Sequence, residues 1–410
     1  MVNRNALPRW GNRLIDGIAD APMSLVGRIA AKRLGAPAPR GSVAVTQFDD
    51  RPRRVLIAPV NYSGQATAWA RALERADPTI SARSLAIDVP GGFSFDADLV
   101  VPVGTYHNDA DWQRRQFAAT QHATHVLIEA EEPPFGRMMA RSVSAQAQAL
   151  RDSGVSIAFL AHGTDVRLPS RHTAANEWSH YTDPGVYAPR AETLAARNIA
   201  LVLASGRPAF VSTPDLVADL PGSTWCPVVV DPQRWATQRA PRDVTRPLRV
   251  VHAPSVDAVK GTQLIMPVLT RLESAGVIEL ELVRGVASAE MPGVFARADV
   301  VLDQFRLGSY GAAACEAMAA GCVVVGNVSD TVRTEVHART GSTVPIVQAT
   351  PATLDSVLRL LADDHAIGDR RESGVDFVRS VHDGTLSARA LIDDWIGIRH
   401  SPPGREPAHA

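Results

Sequence analysis

The sequence predicts an α/β protein made of two successive parallel-sheet halves. From residue 54 onward, short β-rich apolar runs alternate with helical stretches. Strands that are apolar on both faces and separated by helices argue for a parallel sheet covered by helices. The alternation breaks at 231–247, a stretch rich in Arg, Pro and polar residues, and then restarts. A chain of 410 residues with 45% apolar content is also long enough for two domains of ordinary size.

Residues 1–50 stand apart from this pattern. Trp10, Leu14, Ile15 and Ile18, then Leu25, Val26, Ile29 and Ala30, are interspersed with Arg9, Arg13, Arg28, Lys32 and Arg33. They read as two short amphipathic helices followed by a Pro/Gly-rich stretch at 35–41. A basic amphipathic face suits a peripheral membrane contact through residues 1–34. The competing expectation is a helix packed on the body, since Asp16 and Asp20 lie on the first helix.

The first half, 51–235, carries expected strands at 54–60, 84–89, 99–103, 124–129, 156–161 and 199–204, with helices at 66–76 and 139–153. The second half, 236–384, carries strands at 248–252, 278–283, 299–303, 322–326 and 343–347. Its helices fall at 261–274, 289–297, 309–320 and 351–364. The last has Thr350 placed as an N-cap, Pro351 at the first position, and Leu354, Val357, Leu358 and Leu361 on one face. A C-terminal helix within 385–400 puts Ala388, Leu391, Ile392, Trp395 and Ile396 together, and residues 401–410 are expected to be disordered.

Bulk properties exclude several classes. A net charge of −1 gives no nucleic-acid surface. No run approaches the ~18 apolar residues that span a bilayer. Asp16 and Asp20 interrupt the first apolar stretch, so it is not a secretory signal. Cys226, Cys315 and Cys322 lie in apolar contexts without metal-ligand spacing, which suits buried thiols in a reducing cytoplasm.

Two segments carry candidate chemistry. Lys260 is one of only two lysines, with Lys32, among 42 basic residues. It follows the apolar run 248–252 and a short loop, and it precedes Gly261 and an amphipathic helix. Strand, loop, Lys-Gly, helix is a frame for binding phosphate, with helix N–H groups and one flexible ammonium. The second segment follows the strand 299–303: Gly308-Ser309-Tyr310-Gly311, then a helix of small apolar residues that contains Glu316. Gly308 and Gly311 allow close backbone approach, Ser309 can cap the helix, and first-turn N–H groups would face an anion. Glu316 is the only charge on that helix, and a carboxylate on a buried helix needs hydrogen-bond donors, for which ribose hydroxyls are suited.

Other patterns carry less. Asp96-Ala97-Asp98 and Asp109-Ala110-Asp111 match a metal-binding Asp-x-Asp, but the first opens a strand and the second lies in a polar loop. His122 and His125 have no partner cluster. No Walker loop, Gly-x-Ser-x-Gly elbow or Gly-x-Gly-x-x-Gly fingerprint occurs.

With Glu316-Ala317-Met318-Ala319-Ala320-Gly321 and the apolar strand that follows, the 308–325 region resembles the donor-binding half of GT-B glycosyltransferases, most closely the retaining enzymes of family 4. Lys260-Gly261-Thr262 is similar to the strand–Lys-Gly element of the same half. Val211 to Leu216 and Pro227 to Asp231 look like the segment leading to the hinge. Asn61 to Gln65, with Gly64, resembles the first glycine loop, and His162-Gly163-Thr164-Asp165 the family's His-Gly-x-Asp. The resemblance covers roughly 54–398 and implies two Rossmann-like domains facing a central cleft.

It further implies transfer of a sugar from a nucleotide-sugar to a hydroxyl of a glycan or glycolipid, with retention, with no separate cofactor and no metal. Lys260 would neutralise the diphosphate, aided by Gly261 and the amides of 308–311, and Glu316 would hold the ribose. His162 would touch the sugar or acceptor, and Gly64 and Asp165 would belong to the acceptor or phosphate loops. Two positions depart from the family pattern: Gly308 stands where a second Glu is common, and Pro254 where an Arg is common. Arg284, at the end of a strand, is placed to supply a second cation. A nucleotide-sugar epimerase and a non-catalytic nucleotide-sugar or glycan binder stay open as alternatives.

Overall fold

The computed structural model describes residues 4–92, 95–237, 242–364 and 367–398. The expected disordered tail from 401 lies outside the described residues, as do parts of the 231–247 linker. Seven strands form one sheet: β1 (Arg53–Ala58), β2 (Ile80–Asp88), β3 (Leu99–Pro102), β4 (His125–Glu129), β5 (Ser156–Ala161), β6 (Ala209–Val211) and β7 (Thr224–Trp225). Their order is β3-β2-β1-β4-β5-β6-β7. Five form the other: β8 (Leu248–His252), β9 (Ile278–Leu282), β10 (Val300–Leu302), β11 (Val323–Gly326) and β12 (Val347–Gln348), in the order β12-β11-β10-β8-β9. The pairings from β1 through β5 and throughout the second sheet are parallel.

The chain divides into two compact units. One gathers residues 18–161, 201–210 and the chain from Ser387. The other gathers the chain through Gly17, residues 162–200 and residues 211–386. In the first, Val55 to Ala58 and Val126 to Ile128 are fully buried, as expected of central parallel strands with helices on both faces. The C-terminal helix belongs to this unit: Trp395 Nε1 donates to Ser156 Oγ at 2.9 Å, and its ring meets His125 edge-on. In the second unit, Val250, Val300, Leu302, Val323 and Val325 pack against Ile265, Leu269, Leu354 and Leu358 from the flanking helices.

Three local expectations are corrected. Residues 199–204 are not a strand but the end of the 18-residue helix Ala188–Ser205. An apolar run of six cannot be told from a helical segment by periodicity, and here an Ala-rich stretch feeds into it with no breaker before Gly206. The strand comes later, at β6. The helix expected at 351–364 is Leu354–Ala362, with Thr353 at its cap. Thr350 instead opens a turn whose carbonyl accepts from Leu354 N at 3.0 Å. The stretch expected as a strand at 343–347 pairs only at Val347–Gln348. The N-terminal amphipathic helices are present, as Arg9–Asp20 and Leu25–Lys32. No helix among the described residues is long and apolar enough to cross a membrane.

Candidate nucleotide-sugar site

The Lys260 arm begins at the end of β8. His252 is buried there, and burial holds its pKa down to about 4, so its ring is neutral. Its Nδ1 lies 3.1 Å from Leu302 O, a pure acceptor, so Nδ1 carries the proton and Nε2 accepts from Thr262 Oγ1 at 2.9 Å. One neutral ring thus ties β8 and β10 to the helix Thr262–Ser274. Between the short helix Asp257–Lys260 and that helix stands Gly261, at φ +80°. A Cβ at Gly261 would lie 3.0 Å from Arg306 Cγ, so both backbone angle and close packing demand glycine. Lys260 Nζ sits 2.5 Å from Asp303 Oδ1, with only 12% and 3% of the two side chains exposed. An ammonium has three donors, so this contact leaves others for a phosphate.

The glycine loop 305–311 is held from one side by the segment 172–183. His172 Nε2 contacts Leu307 O at 2.9 Å, and Asn176 Nδ2 donates to Arg306 O at 3.0 Å. The Arg306 guanidinium donates to Trp178 O, Ser179 O, Thr182 Oγ1 and Asp183 Oδ2. Gly308 lies at φ +73°, where a side chain is strained. A Cβ there would meet the Asn176 amide at 3.4 Å. The place a carboxylate at 308 would take therefore faces Asn176. Gly308→Ala is expected to lower stability by about 1–2 kcal/mol, read as a lower urea midpoint. An unchanged midpoint would show that this backbone relaxes freely.

The remaining loop residues divide between core and open face. Ser309 does not cap the helix Ala312–Ala319; Gly311 does, without a side-chain bond, and Ser309 is fully buried. Tyr310 is also a core residue, packed on Phe377 and His382. His382 Nδ1 donates to Val228 O, so its Nε2 accepts from the Tyr310 hydroxyl at 3.3 Å. Gly311 has an extended backbone with open space where a Cβ would stand. Its value is room for an approaching group, not a special dihedral. The first helical amides beyond it have no partner within the helix.

Glu316 lies one turn into this helix and is partly buried. Among the described residues its carboxylate has no hydrogen bond or ion pair. Burial pushes its pKa up to about 7, against the lowering pull of Arg234 and Lys260. Arg234 escaped the sequence reading. It lies in what read as linker, on a one-turn helix, Pro232–Trp235, whose amides Asp231 caps. Asp303, too, was visible only as a strand end. Neither residue carries a local pattern that marks it; their meaning is their nearness to Lys260 and Glu316.

Other expected residues are placed differently. Arg284 forms a two-point ion pair with Asp257, 2.8 and 2.9 Å, so its charge is already matched. The pair lines an open pocket with Thr262, Gln263 and Met266. Asp165 accepts from His162 N and Gly163 N, at 2.8 and 2.5 Å, and so shapes the turn that presents His162. Asp215, from the segment read as leading to the hinge, pairs with buried Arg167 next to that turn. In the other unit, Gly64 lies at φ +72° against the Phe95 ring and starts the helix Gln65–Ala76. Both Asp-x-Asp pairs are structural. Asp98 pairs with Arg71, and Asp109 caps the helix Ala110–Thr120.

No family model and no curated protein matches the chain. Among solved structures, sucrose-phosphate synthase from Thermosynechococcus elongatus aligns at TM-score 0.55 and 11% identity, covering 83% of this chain and 98% of that one. Anabaena HepE in complex with UDP-glucose aligns at TM-score 0.49 and 10% identity, covering 83% and 98%. A UDP-N-acetylglucosamine 2-epimerase from Listeria monocytogenes, itself described as putative, aligns at TM-score 0.48 and 12% identity, covering 83% and 95%. The fold is GT-B, with two α/β domains each carrying a parallel sheet. At these identities the likeness defines the fold alone, and function has to be argued from the site.

Proposed function

We propose that the chain is a glycosyltransferase that moves a sugar from a nucleotide-sugar to a hydroxyl acceptor, with retention of configuration. One observation carries this reading. Glu316 is a partly buried carboxylate without a protein donor, on the helix that follows the glycine loop, with Lys260 and Arg234 in electrostatic reach. A carboxylate so placed is stabilised by two neighbouring hydroxyls, as on a ribose. A helix start with no side-chain cap, together with two cations, suits a diphosphate. A nucleoside diphosphate presents both groups on one molecule.

The roles follow from charge. As the glycosidic bond to the donor breaks, negative charge grows on the leaving phosphate oxygen. Lys260 and the amides beyond Gly311 favour that state over the ground state. These groups supply the positive charge that a metal supplies in other sites. His162, presented by the Asp165 turn, is the candidate contact to sugar or acceptor. A glycan or glycolipid acceptor and a cytoplasmic setting belong to the same proposal.

The Gly308 position favours a second reading, a protein that binds nucleotide-sugar without transfer, because no carboxylate projects there. Titration with a panel of nucleotide diphosphates and nucleotide-sugars, followed by donor-hydrolysis assays, separates the two. Binding with slow release of free sugar supports transfer. Binding without turnover, with or without glycan acceptors, supports the binder. No binding by the folded protein removes both.

A further inference from the structure

The helix Leu25–Lys32 is amphipathic in the reverse of the usual sense. Its buried residues are the small ones, Gly27 and Ala31. A Cβ at Gly27 would stand 2.6 Å from the carbonyl oxygens of Ala21 and Pro22. Its large apolar residues point outward, with Leu25 77%, Val26 51% and Ile29 52% exposed. Hydrophobic burial would ordinarily turn such a stripe inward.

The helix is nevertheless fastened. Ser24 Oγ accepts from Gly27 N at 3.1 Å. Asn108 Nδ2 donates to Ala31 O and Gly35 O, both at 3.0 Å. The chain beyond it passes so close to Gly104 that a Cβ there would strike Ala36 O. Packing therefore holds the apolar stripe outward.

Beside this helix lies an open cavity of about 500 Å³ whose lining includes Arg28, Lys32, Asn108, Arg114 and Arg137, and no Asp or Glu. The nearby carboxylates are engaged elsewhere: Glu132 with Arg141, and Asp111 with Arg115 and Arg114. Among the described residues, Arg28, Lys32 and Arg137 have no carboxylate within ion-pair distance. Backbone contacts fix two of them: Arg137 Nη2 donates to Pro22 O at 2.7 Å and Arg28 Nε to Met23 O at 3.1 Å. Burial, then Arg28 and Arg141, lower the Arg137 pKa. His107, also in the lining, is held down to about 4 by burial and by Arg141 and Arg137. Like charges gathered without a counter-charge repel one another, and an anion would relieve them.

We propose that this cavity and the outward stripe together dock an anionic lipid bilayer, with a lipid phosphate among Arg28, Lys32 and Arg137 and with Leu25, Val26 and Ile29 in the interfacial layer. A soluble phosphate would use the cations but leave the stripe in water; a lipid uses both. The inference does not depend on the glycosyl-transfer reading.

The test is co-sedimentation of the full chain with vesicles of phosphatidylcholine alone or mixed with phosphatidylglycerol, beside titration with inorganic phosphate. Binding is expected only with phosphatidylglycerol and should weaken as salt rises. Arg28→Ala/Lys32→Ala should weaken it by about fivefold per cation removed. Val26→Ser/Ile29→Ser, which removes apolar area without adding charge, should abolish vesicle binding while leaving phosphate binding intact. All four side chains are exposed, so thermal melts should match the parent and exclude misfolding. Three results would each overturn the proposal: no binding to anionic vesicles, vesicle binding unchanged in both variants, or phosphate binding without vesicle binding.

Discussion

Lys260→Ala is expected to abolish nucleotide-sugar binding and also to lower folding stability by about 3–5 kcal/mol. The second effect arises because Asp303, only 3% exposed, would be left as a buried carboxylate without its ammonium. A loss of binding in the single variant is therefore ambiguous, since a loosened site also binds poorly. Lys260→Ala/Asp303→Asn resolves this. Removing both charges should recover most of the stability, because the penalty belongs to the unpaired charge. Binding should stay absent, because no ammonium remains for the diphosphate. Urea unfolding and titration calorimetry on the same samples read both quantities. A double variant that regains binding would show that Lys260 serves the fold and not the ligand.

Glu316→Gln is expected to act in opposite directions on stability and on binding, with a pH signature. The folded-state pKa of Glu316 is pushed up to about 7 by burial, from an ordinary value of 4.5. Between those values the folded protein holds a proton that the unfolded chain has released. Stability from this group is therefore fully present below about pH 4.5, falls as pH rises toward 7, and is level above. A shift of this size corresponds to at most about 3 kcal/mol. The Gln variant lacks this loss, so at pH 8 it should melt higher than the parent, and at pH 4 the two should coincide. Nucleotide affinity of the parent should rise as pH passes through about 7, when the carboxylate ionises and can accept from ribose hydroxyls. The variant should bind more weakly and with no such rise. Equal melting differences at pH 4 and pH 8 would mean that Glu316 does not titrate as described.

These two residues show how a site can be half legible. Lys260 stood out because lysine is rare here and it sits in a strand–loop–Lys-Gly frame; Glu316 because a charge on an Ala-rich helix is costly unless met. Both arguments are local. Their partners were not legible: Asp303 is 43 residues from Lys260, and Arg234 lies in a stretch that read as linker. Arg284 shows the reverse error. Its place at a strand end suggested a free cation, yet Asp257, 27 residues earlier, holds it in a two-point pair. Ser309 is expected from the sequence as a helix cap and Tyr310 as part of the donor-binding loop, but the loop turns both side chains into the core. A loop's sequence does not tell which way each side chain points.

What the sequence by itself determined was the succession of elements and thereby the fold class. Apolar runs flanked by glycine and polar turns specify parallel strands, and 3.6-residue periodicity specifies the covering helices, through burial that acts within a few residues. It failed where local signals tie, as at 199–204, where an apolar run inside an Ala-rich stretch became helix. Only the tertiary structure decided which charges meet, that position 308 faces Asn176, and that Leu25, Val26 and Ile29 are held outward. Those outcomes depend on residues far apart in the chain reaching contact distance, and no local propensity encodes that.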